Sequence, residues 1–76
     1  MKFKTGDHVF YWLYYKHPGL YGMKRKEALG KIMDATSHVG YILWCYFDRE
    51  RRWVGPETII REASPLEVFN YQVSLP

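Results

Sequence analysis

At 76 residues and 9.1 kDa the chain has room for one domain with one modest core, and a composition that is 47% hydrophobic and 18% aromatic argues against disorder. A single cysteine, Cys45, excludes an internal disulfide and with it a disulfide-stapled scaffold, so a reducing compartment is expected. The formal charge of +3 and pI near 9.1 permit an acidic protein or a nucleic acid as partner and compel neither.

Residues 1–7, M-K-F-K-T-G-D, lack the apolar stretch of a leader, and the longest apolar run near them, residues 9–15, is too short to span a bilayer. A cytoplasmic protein without membrane association is expected. Gly6 and Asp7 form a turn that launches a first strand over residues 8–15. Its alternation puts Val9, Tyr11, Leu13 and Tyr15 on one side and Phe10, Trp12 and Tyr14 on the other. Residues 16–27 contain Pro18, Gly19 and Gly22 followed by the basic triplet Lys24, Arg25 and Lys26, and read as a long excursion from the sheet.

A second strand is expected over 28–36, a turn through Ser37, His38 and Gly40, and a third strand over 39–47, the most β-prone stretch of the chain. Four consecutive charged residues at 48–51 are costly inside a sheet and predict a hairpin tip. A short fourth strand follows over 52–55, then one tight helical turn at Pro56, Glu57 and Thr58, then a last strand over 59–61. Ser64, Pro65 and Glu67 have the spacing of a capping box with proline at the first helical position, which predicts a short helix over 65–70. Leu66, Phe69 and Val73 are expected to cover one end or face of the sheet.

This order of elements, over about residues 4–62, resembles the SH3-like small barrels, the group that includes SH3, Tudor and KOW domains. The resemblance rests on G-D-x-V at Gly6 to Val9, on L-G-K-I at Leu29 to Ile32, and on the run Val54-Gly55-Pro56-Glu57-Thr58-Ile59-Ile60, which is similar to the end of an SH3 barrel. It implies an all-β fold with a five-stranded barrel over 1–62, a long first loop and a 3-10 turn before the last strand; residues 63–76 lie beyond the resemblance and are expected to pack on the barrel as a C-terminal extension with the short helix. The tyrosine that SH3 domains place after that turn is replaced here by Ile59, and an A-L-Y-D-Y-like opening is missing, which argues against recognition of PxxP segments. Type II dihydrofolate reductases are also SH3-like barrels, but their V-Q-I-Y motif has no counterpart at 52–56. One fold hosts many functions, so the site has to decide.

With both faces of the first and third strands apolar, only one face can enter a barrel, and the other needs a cover. Trp12, Trp44 and Tyr14 are the expected members of an outer aromatic patch, for which core packing is the competing explanation. The aromatic set Phe10, Trp12, Tyr14, Trp44, Tyr46 and Trp53 also suits stacking on bases or a methylated cation. Lys24, Arg25 and Lys26 in one loop, with Arg49, Arg51 and Arg52 in another, suit phosphate contacts, against the plainer role of solubilising charge diluted by Glu27, Asp48 and Glu50. His8, His17 and His38 show no metal-ligand spacing, Cys45 has no neighbouring base, and Asp34 and Asp48 show no paired-carboxylate logic. No catalysis and no cofactor are therefore expected. The leading expectation is a non-catalytic docking module for a protein partner, with a homodimer among its forms. A nucleic-acid-binding module is the alternative.

Overall fold

The computed structural model describes residues 3–16, 19, 22–36 and 39–75. Five antiparallel strands form one sheet: β1 (His8–Lys16), β2 (Met23–Thr36), β3 (Gly40–Cys45), β4 (Glu50–Val54) and β5 (Ile59–Glu62), in spatial order β4-β3-β2-β1-β5. A 3-10 turn, Pro56–Thr58, joins β4 to β5, and a helix α1 (Pro65–Ser74) ends the chain. β4 and β5 are the two edges, so strand pairing does not close the sheet into a barrel.

The 14-residue β2 changes partner along its length, which curls the sheet. Its first part, 23–31, pairs with β1, and its last part, 30–36, pairs with β3, with a bulge at Met33 where the register shifts between Ile32 and Asp34. Gly6, at φ 97°, makes the turn into β1; its N–H donates to Ile32 O at 2.8 Å, and Asp7 O accepts from Ile32 N–H at 2.8 Å.

Inside the curl, Val9, Tyr11, Leu13, Ala28, Ile32, Tyr41, Leu43, Cys45 and Val54 are buried together, and Phe3 closes one end edge-to-face on Tyr41 at 5.9 Å between ring centroids. Leu29 is also fully buried, yet the strand period turns it away from Ala28 and Gly30. Its cover comes from α1. Tyr71 meets Phe10 edge-to-face at 6.3 Å, and its hydroxyl reaches the backbone of Leu29.

Several boundaries differ from the sequence expectation. The basic triplet lies in β2, not in a loop, because β1 continues to Lys16 and Lys16 pairs with Met23. The excursion shrinks to residues 17–22, most of which fall outside the described residues, as do Ser37 and His38 of the expected turn. β3 stops at Cys45, and Arg49, at φ 57°, donates its N–H to Cys45 O at 2.8 Å to close a turn over 46–49. Glu50 and Arg51 therefore belong to β4, where an exposed edge tolerates them. The capping box forms as read: Glu67 N–H donates to Ser64 Oγ at 3.3 Å and Ser64 N–H to Glu67 Oε1 at 3.0 Å.

The helix runs four residues beyond the expected end and is turned the other way about its axis. Leu66, Phe69 and Val73 do not cover the sheet; they are 68%, 63% and 66% exposed. Arg61 of β5 donates to both Glu67 oxygens, at 3.0 and 2.6 Å, joining the first turn to β5. Val68 and Tyr71 are then half-buried on the sheet side.

Candidate docking groove

β5 pairs with β1 only at Val9, Phe10 and Tyr11, leaving the rest of that side of β1 without a strand neighbour among the described residues. β4 pairs with β3 alone. Between these open stretches runs a groove of about 300 Å³, walled by Trp12, Leu13 and Tyr14 of β1, by Arg52, Trp53 and Val54 of β4, and by Gly55 with Glu57 and Thr58 of the 3-10 turn. Tyr14 and Trp53 are 54% and 56% exposed, large values for aromatic rings beside a concavity. Trp12 is half-buried and carries the Arg25 guanidinium 4.1 Å from its ring centroid, a cation–π stack that holds the indole in place.

Trp44 does not line this groove. It is half-buried on the outer face of β3, in register with Lys31 of β2 and Arg51 of β4. Trp53 and Glu57 take part instead. Trp53 stood in the apolar alternation, but nothing in the sequence places the end of β4 against β1; that approach is created by the bend of β2.

The basic residues are divided by strand alternation. Arg25 turns to the Trp12 face, while Lys24 and Lys26 turn to the other. The Lys26 ammonium sits 3.4 Å from the Phe47 ring centroid and 5.4 Å from that of Tyr15, which brings the start of β2 beside the β3–β4 turn. Arg52 is paired with Asp48 and with Glu50, the latter at 3.3 Å. Lys24, Arg49 and Arg51 are exposed and have no carboxylate partner among the described residues.

A larger hollow, about 430 Å³, lies between Gly6, Asp7 and His8 and the start of α1. Two of its polar side chains are already engaged: Asp7 Oδ2 accepts from Lys4 N–H at 3.1 Å, and His8 Nε2 shares a hydrogen bond with the Tyr46 hydroxyl at 3.1 Å. Burial and the Lys31 charge lower the His8 pKa. Cys45 is fully buried, and burial raises its thiol pKa, the opposite of what a nucleophile needs. No cluster of potential metal ligands occurs among the described residues, and none of their helices is long and apolar enough to cross a membrane.

The chain matches no known protein family, no curated protein and no solved structure.

Proposed function

We propose that this chain is a non-catalytic docking module for another protein, an SH3-like small barrel in architecture that acts in the cytoplasm. The observation that carries this reading is the groove between β1 and β4, where Trp12, Tyr14 and Trp53 present ring surface beside a concavity. Aromatic side chains of this kind dominate binding energy at protein interfaces because they bury much area at little entropic cost. The exposed cations Lys24, Arg49 and Arg51 would steer an acidic partner without supplying most of the affinity.

The test is affinity capture on the immobilised chain, comparing wild type with Trp53→Ala and with Phe69→Ser as a control on the opposite element. A partner kept by wild type and by Phe69→Ser but lost by Trp53→Ala supports the groove. Equal retention by all three would refute it.

The same cations favour a second reading, contact with a nucleic-acid backbone. It requires anisotropy of labelled duplex DNA or single-stranded RNA to rise at low salt and collapse toward physiological salt. A flat response at low salt removes this alternative.

A further inference from the structure

Resting on the docking reading, we infer that the occupant of the groove is an extended acidic polypeptide segment that adds to the sheet as a strand along the open edge of β4. β4 has its whole outer side unpaired among the described residues, and every residue from Glu50 to Trp53 is exposed. Backbone N–H and C=O groups on such an edge are a template for another strand, and an aromatic wall beside it supplies the pockets that such complexes use for specificity. The groove volume, about 300 Å³, lies at the low end for small-molecule sites and suits one or two side chains of a peptide.

Strand geometry then dictates the sequence of the occupant. Arg51 and Trp53 are two residues apart and share a face of β4. A strand laid alongside would set one residue opposite Trp53 and another, two positions away, opposite Arg51. The first is apolar or aromatic, and the second is Asp or Glu, because Arg51 has no carboxylate of its own among the described residues. Charge also favours a foreign segment over a second copy. Two β4 edges would bring arginines together in a molecule already at +3.

The experiment is selection from a displayed library of random 12-residue peptides on the wild-type chain, followed by synthesis of the most enriched peptide. Enrichment of an acidic residue two positions from an apolar one is expected. N-methylation of one alternate set of the peptide's amides should weaken binding at least tenfold, while methylation of the other set has little effect. Binding should slow hydrogen exchange of β4 amides, and Arg51→Glu should shift the selected peptides from acidic to basic. If Trp53→Ala abolishes binding but neither methylated set does, strand addition is wrong and side-chain docking in the groove stands. If no peptide is enriched, or binding ignores Trp53→Ala, the docking reading falls with it. If β4 amides become protected with rising protein concentration and no peptide, the occupant is a second copy and the inference is overturned.

Discussion

Two residues show how little space the interior leaves. A Cβ at Gly40 would overlap Val54 O and come within 2.9 Å of the Trp53 ring, so the indole sits against a position that only glycine leaves open. Gly40→Ala must displace backbone as well as the ring, and a loss of about 1–3 kcal/mol is expected in urea unfolding. The same substitution disturbs the groove wall through Trp53, so peptide affinity should fall with it. At Cys45, full burial and a raised thiol pKa predict that a thiol reagent reacts only as fast as the protein opens. Rapid labelling under native conditions would mean that β3 is not packed as described. These are consequences of contacts that join positions far apart in the chain, and neither residue type announces them.

At the scale of elements, α1 separates what a local pattern specifies from what it does not. Ser64, Pro65 and Glu67 specify where the helix starts, because a capping box is made by residues three apart and needs no distant partner. The apolar spacing of Leu66, Phe69 and Val73 suggested the buried face, yet the side that docks is the one carrying Val68 and Tyr71. The ring of Tyr71 packs on Phe10 over Leu29, and the exposed Arg61–Glu67 pair joins the first turn to β5 in that same orientation. Tyr71→Ala removes the ring that packs on Phe10 and is expected to cost about 1–3 kcal/mol, less than a fully buried aromatic would. Phe69→Ser should stay within about 0.5 kcal/mol of wild type. Thermal or denaturant unfolding of the two variants checks the orientation directly; equal losses would contradict it. β2 teaches the same lesson, since its first residues look like a polar loop and become strand through pairing with β1 and through stacking of Arg25 and Lys26 on aromatic rings.

For the molecule as a whole, pH offers a test of the assembled contacts. The Arg61 guanidinium and the Ser64 backbone hold the Glu67 carboxyl at a pKa of about 2, below its ordinary 4.5. A carboxylate with a lowered folded pKa stabilises fully above its unfolded value, and that contribution disappears as pH falls from 4.5 through about 2. A modest weakening of α1 docking is therefore expected in that window, read as faster amide exchange at Leu29, and Glu67→Gln should remove this part of the pH dependence. His8 acts higher on the scale. Burial and Lys31 lower its pKa, so the unfolded chain takes up the proton first and stability begins to decline as pH drops below 6.5. His8→Gln should flatten the melting temperature between neutrality and pH 5; an unchanged slope would place the titration elsewhere.

Elements whose signals are local can be read from the amino-acid order. Alternating aromatic and β-branched residues define β1 and β3, proline and glutamate define the 3-10 turn, and the capping box defines α1. Strand period puts Trp12 and Tyr14 on one face, opposite Tyr11 and Leu13, because it is a property of consecutive residues; which of the two faces is buried depends on the curl of the sheet. Features that depend on distant pairing emerge only in the folded chain. It drew the basic triplet into β2, turned Leu66, Phe69 and Val73 to solvent, separated Trp44 from Trp12, and brought Trp53 across to complete the groove. All of these follow from the bend of one long strand and the docking of one helix, and both are set by contacts that no window of neighbouring residues contains.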